Sequence, residues 1–136
     1  MRLFKAALLC AALSIWGHGA FAQGYCPSAS PKAKVITVTT YTIGQADYCQ
    51  VLTFNSVSPV AVYLPAPGTH GGYNAGYWVK LFMEGSGSLV VTPLAAPVTG
   101  AAVTINGASS LSLATTKSAT IYQGTDGKWY ATYSGG

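Results

Sequence analysis

Beyond Val35 the chain runs in short apolar or alternating stretches separated by glycine, proline and small polar residues. That pattern predicts brief β-strands of the kind that build a sandwich or barrel. The predicted strands are KVITVTTYTI, DYCQVLTFN, VAVYLP, GYWVKLFME, SLVVTP, AAVTIN, LSLAT, ATIYQG and KWYATY. In the second, Cys49, Val51 and Thr53 share one face and Gln50, Leu52 and Phe54 the other. In the fourth, Tyr77, Val79, Leu81 and Met83 lie opposite Trp78, Lys80 and Phe82, and both faces are apolar enough to be covered. No stretch after residue 22 sustains a helical period. The expected fold is all-β, an antiparallel sandwich or jelly-roll-like domain of about eight or nine short strands.

The connections carry their own chemistry. Asn106-Gly107 and Asp126-Gly127 can adopt positive φ and suit the tight primed turns that match strand twist. The second turn predicts a terminal hairpin in which Ile121 to Gln123 return against Trp129 to Tyr133. On that reading Trp129 and Tyr130 are cross-strand packing partners, structural residues of a closing element.

The first residues follow a different pattern. MRLFKAALLCAALSIWGHGAFA has a basic start at Arg2 and Lys5, an apolar run from Ala6 to Trp16, and small residues at Ala20 and Ala22. These are the marks of a secretory signal peptide occupying residues 1–22, and the run is too short to span a bilayer stably. The remaining chain divides into an arm, 23–34, rich in Pro, Ser and Gly, and one β domain, 35–136. Loss of Cys10 with the leader leaves Cys26 and Cys49, which in an oxidising compartment can form one bridge tying the arm to the domain. Closing a loop of that span restricts the unfolded chain by about 3 kcal/mol. The expected location is outside the inner membrane: periplasmic, secreted, or on a cell or virion surface, with no membrane association once the leader is gone.

Charge then narrows the function. After the leader the chain has five lysines against three carboxylates, a formal charge of +2, and no arginine. Nucleic-acid recognition draws on clustered Lys and Arg, so it is not expected. Threonine and serine supply the wettable surface instead. Metal binding is not expected either, because His70 is the one histidine after the leader and two cysteines fall short of a zinc set. Enzymatic activity is not expected. Paired-carboxylate catalysis has Asp47, Glu84 and Asp126 to draw on, and a nucleophilic triad would have His70 alone as base. No cofactor is expected.

The order of these elements resembles a known family. The succession QVLTFNSVSPVAVYLP, GYWVKLFMEGSGSLVVTP, VTINGASSLSL and SATIYQGTDGKWYATY is similar to a β domain recurring in tailed-bacteriophage fibres, tail spikes and related virion appendages. There a strand pair ends in Leu-Pro, a hydrophobic strand leads into a Gly-rich turn, an "ING" step follows, and a "DG.WY" hairpin closes the domain. The resemblance covers about residues 36–133 and rests on Leu64-Pro65, Gly85 to Gly87, Asn106-Gly107 and Asp126 to Tyr130. It implies a structural or host-attachment module, commonly trimeric, with no catalytic residues. The leader departs from that pattern, since fibres assemble in the host cytoplasm. It implies a bacterial exported protein built on a phage-like domain, or a phage protein sent to the envelope.

Oligomerisation also follows from the strands themselves. YWVKLFM, SLVVT and VAVYL carry apolar residues on both faces, and few charges are available to keep outer faces wet, so a homo-oligomer is expected. The alternative function is a secreted carbohydrate- or cell-wall-binding module. Its expected site is the loop PAPGTHGGYNAGYW, where His70, Tyr73, Asn74 and Tyr77 combine flat rings with hydrogen-bonding groups that suit a cell-surface glycan.

Overall fold

The computed structural model describes residues 32–66, 76–95 and 101–134. Residues 1–22, where a signal peptide is expected, and Cys26, His70, Tyr73 and Asn74 lie outside the described residues. Nine strands are described: β1 (Ala33–Ile36), β2 (Thr40–Thr42), β3 (Val51–Phe54), β4 (Val60–Leu64), β5 (Trp78–Met83), β6 (Leu89–Pro93), β7 (Leu111–Leu113), β8 (Ser118–Gln123) and β9 (Trp129–Ser134). They form a five-stranded sheet in the order β1-β3-β5-β8-β9 and a four-stranded sheet in the order β2-β4-β6-β7. The chain is all-β, and the inner faces of the two sheets meet in one hydrophobic core.

The sheets are mixed, which corrects the antiparallel expectation. From β1 to β6 the chain steps alternately from one sheet to the other, so each strand meets its predecessor in the same sheet running the same way. The pairs β1–β3, β3–β5, β2–β4 and β4–β6 are therefore parallel. Parallel neighbours need a long crossover, and here a strand of the facing sheet supplies it. Only the last third reverses direction, giving the antiparallel pairs β5–β8, β6–β7 and β8–β9.

Two predicted strands also change. KVITVTTYTI is split between the sheets as β1 and β2, because Thr37, Val38 and Thr39 form an exposed corner between them. AAVTIN forms no strand; Ile105 alone bridges to Ala108 and to Trp129. Ala33 and Lys34, the last residues of the predicted arm, pair with Val51 and Leu52 of β3.

The strand-to-strand corners stack on one another as the strands do. Val51 is opposite Lys80 and Val60 is opposite Leu89, so the whole unit from β3 to β4 repeats in β5 to β6 with the same displacement of 29 residues. Successive corners hydrogen-bond directly: after β3, Asn55 N–H donates to Ile36 O at the end of β1 at 2.9 Å, and after β5, Gly87 N–H donates to Ser56 O of the β3–β4 corner at 3.0 Å. Such close backbone layering has a steric requirement. A Cβ on Gly85 would stand 2.2 Å from the Ser56 carbonyl oxygen, and one on Gly87 2.3 Å from that of Ser58.

Gly85→Ala is therefore expected to push two corners apart at a cost of about 1–3 kcal/mol. Gly107→Ala is the contrasting change. Gly107 has φ +81° and no heavy atom near a new Cβ, so only the left-handed backbone resists it, at about 1 kcal/mol. Urea unfolding midpoints of the two variants check this. Equal losses would mean that the corners do not pack as layers.

Period-two alternation fills the core. In β3, Leu52 and Phe54 are buried while Val51 and Thr53 are half-exposed; in β5, Val79, Leu81 and Met83 are buried while Trp78, Lys80 and Phe82 are half-exposed. The four-stranded sheet contributes Val60, Val62, Leu64, Leu89, Val91, Leu111 and Leu113 from its inner face.

Candidate functional site

The closing hairpin holds the largest fully buried side chain among the described residues. Gln123 is opposite Trp129, Tyr122 opposite Tyr130 and Ile121 opposite Ala131. Trp129 has no exposed surface; its indole N–H donates to Pro65 O at 3.2 Å, and Tyr77 meets it edge-on at 5.9 Å between centroids. Its backbone is clasped as well, with Trp129 N–H donating to Thr104 O and Asn106 N–H donating to Trp129 O. Asn106 then behaves as a short piece of strand, because its side chain donates to Ala131 O at 3.0 Å and accepts from Ala131 N–H at 2.9 Å.

The two turns differ from one another. Asn106 and Gly107 both have positive φ, 51° and 81°, as a primed turn requires. At the hairpin tip only Gly127 does, at 75°. Gly127 N–H donates to Gly124 O and Gly124 N–H to Lys128 O, so the turn centres on Thr125-Asp126 and left-handed Gly127 follows it as a bulge. This replaces the primed turn expected at Asp126-Gly127. A side chain explains the choice: Asp126 accepts from Lys128 N–H at 3.1 Å and from the Tyr130 hydroxyl at 2.8 Å. The Tyr130 hydrogen bond is the main cause that holds the Asp126 carboxyl below its usual range, and the same bond raises the Tyr130 phenol.

Tyr77 leaves the set of candidate ligand-binding residues. It begins the buried row of β5 and is 3% exposed; its hydroxyl donates to Gly44 O at 2.7 Å and its ring stacks on Tyr48. The alternation that places Val79, Leu81 and Met83 inward also carries Tyr77 inward. Cys49 is fully buried with φ 60° and is not a free thiol. Its expected partner, Cys26, lies outside the described residues.

A polar cluster that sequence spacing does not reveal closes the β1–β2 end of the core. Asp47, in a short 3-10 turn at Gln45–Asp47, is 3% exposed. It accepts from Gly44 N–H at 2.8 Å, from the Tyr41 hydroxyl at 2.9 and 3.0 Å, and from the Lys34 ammonium at 3.2 Å. Lys34 comes from β1 in one sheet and Tyr41 from β2 in the other, so the carboxylate joins both sheets. The Lys34 ammonium, held chiefly by its hydrogen bond to Tyr41, has a raised pKa; burial raises that of Tyr41. Glu84 is exposed at the β5–β6 corner. Among the described residues no three His, Cys, Asp or Glu side chains gather in a way that could hold a metal ion, and no helix is long and apolar enough to cross a membrane.

What remains facing outward is two sheet surfaces of different character. On the five-stranded sheet, Trp78, Tyr122 and Tyr130 form one cross-strand row, with Tyr122 and Tyr130 stacked at 5.6 Å. The next row is Val51, Lys80, Thr120 and Thr132, and the one after it includes Thr53 and Phe82, with Ser118 of the same row buried. On the four-stranded sheet the outward rows are Thr40, Ala61, Val90 and Ser112, then Thr42, Tyr63 and Thr92. Those seven positions include no charged residue.

Comparison with known proteins finds no match: no family model matches the chain, and neither a curated protein nor a solved structure does.

Proposed function

We propose that this chain is an exported, non-enzymatic attachment protein that resembles a phage fibre module and acts by self-assembly and surface binding. The outer face of the four-stranded sheet carries the proposal: its uncharged, mostly small or β-branched side chains suit burial against further copies of the chain around a shared axis. Such a face meets water poorly, and closed symmetry covers it without leaving a complementary surface open. The resemblance to fibre modules points to a trimer. The signal peptide at residues 1–22 and a Cys26–Cys49 bridge complete the reading of an exported protein.

Light scattering of the exported domain, with its intact mass measured alongside, tests this. The expected result is three chain masses in solution, with each chain starting at Gln23 and lacking the two thiol hydrogens. Val90→Lys, at the centre of the uncharged face, should then yield folded monomers. A wild-type monomer unchanged on tenfold concentration would remove the assembly role.

A second reading, a secreted glycan-binding module, is favoured by the aromatic row on the opposite sheet. Trp78, Tyr122 and Tyr130 offer rings beside the hydroxyls of Thr120 and Thr132, the pairing of surfaces that a sugar ring uses.

A further inference from the structure

We infer that the outer face of the five-stranded sheet binds an acidic glycan, whose sugar rings pack on Trp78 and Tyr122 and whose carboxylate pairs with Lys80. The inference rests on the glycan-binding reading and names the ligand's charge and the residue that recognises it. Lys80 lies in β5, the central strand of that sheet, between Val51 and Thr120 across the strands and between Trp78 and Phe82 along its own face. It is half-buried, with Trp78 and Phe82 two residues away along the same face and Thr120 opposite it on the neighbouring strand.

Among the described residues that ammonium has no carboxylate partner. Asp47 pairs with Lys34, and Asp126 pairs with Lys128. The second of these stands at the hairpin tip of the same sheet and neutralises itself. Lys80 is thus the one charged residue in the outward rows described for that face. A partly desolvated cation without a counter-ion favours an anionic partner, and a charge-assisted hydrogen bond is about twice as strong as a neutral one.

Spacing and charge density select the kind of anion. Residues two apart on a strand are separated by about 7 Å, and facing residues on neighbouring strands by about 5 Å. One sugar ring over Trp78 and Tyr122 can thus bring a ring carboxylate to Lys80 and hydroxyls to Thr120. A nucleic acid would also stack on the rings, but it presents a phosphate at every step and calls for a track of cations. One lysine does not make a track.

The test titrates the folded wild-type domain calorimetrically with oligogalacturonate, its fully methyl-esterified form, an oligosialic acid, a neutral cello-oligosaccharide and a single-stranded oligonucleotide. An acidic glycan should bind at least about tenfold tighter than the neutral probes. Lys80→Gln should erase that preference with an unchanged melting temperature, and exposed Tyr122→Ala should weaken every sugar. If acidic and neutral glycans bind alike, the acidic assignment is overturned and glycan binding stands. If no sugar binds a folded domain, both are overturned. Tight oligonucleotide binding, or loss of oligomer mass in Lys80→Glu, would assign the face to nucleic acid or to a second copy and overturn the proposal.

Discussion

Trp129→Ala is expected to destabilise the domain by about 3–5 kcal/mol, the range for removing a large buried aromatic side chain. Trp129 is the largest fully buried residue among those described, and three separate segments meet on it: Pro65 just after β4 through the indole N–H, Tyr77 through its ring, and Thr104 to Asn106 through the backbone. The alanine variant would leave a cavity between the closing hairpin and the rest of the core. Total stabilities of small domains are about 5–15 kcal/mol, so this single change consumes a large share. Trp129→Phe separates the contributions, since it keeps most of the volume and loses the donor to Pro65, at about 1–2 kcal/mol for the hydrogen bond. Thermal unfolding of the two variants measures both effects. A Trp129→Ala domain that melts with the wild type while losing ligand binding would make the hairpin a recognition surface.

Asp47→Ala should be the second most damaging change, at about 2–4 kcal/mol, because it strands several polar groups at once. Lys34, Tyr41 and the Gly44 amide all donate to this one buried carboxylate. The value lies below that of a fully buried ion pair because the Lys34 side chain is 51% exposed and water screens it. A pH dependence identifies the cluster. Lys34 and Tyr41 both hold their protons more tightly in the folded protein than in the unfolded chain. Their contribution is therefore fully present below the ordinary tyrosine value of about 10 and is lost as pH rises through the raised folded values. The wild-type melting temperature should fall above about pH 10, and Asp47→Ala should lessen that fall. An identical alkaline slope in both proteins would show that the cluster does not couple to folding.

Strand positions and faces were largely legible because burial follows period two: Leu52 and Phe54 against Val51 and Thr53, Val79 and Leu81 against Lys80 and Phe82. Strand direction was not, since a half-buried strand has the same period whether its neighbour runs with it or against it. Nor could alternation reveal that Thr37 to Thr39 turn the chain into the second sheet, because threonine and valine favour extended backbone and give no turn signal. Tyr77 was legible twice with opposite meanings, as a loop ring near His70 and as the first residue of the Tyr77-Val79-Leu81-Met83 face; packing decided for the second. The Lys34–Tyr41–Asp47 cluster joins three elements through their positions in space, and no spacing rule connects them. The aromatic row was hidden for the same reason, since Trp78, Tyr122 and Tyr130 become neighbours only through strand register.

The constant displacement of 29 residues between the β3–β4 unit and the β5–β6 unit bears on how such a protein can change in length. A tandem copy of one such stretch, inserted between β4 and β5, would add one strand to each sheet in register, leaving the hairpin and the polar cluster at their own ends. The domain would lengthen by one strand spacing per copy, about 4.8 Å. Duplication of a short piece of gene could therefore set how far this protein reaches, with no new fold to invent.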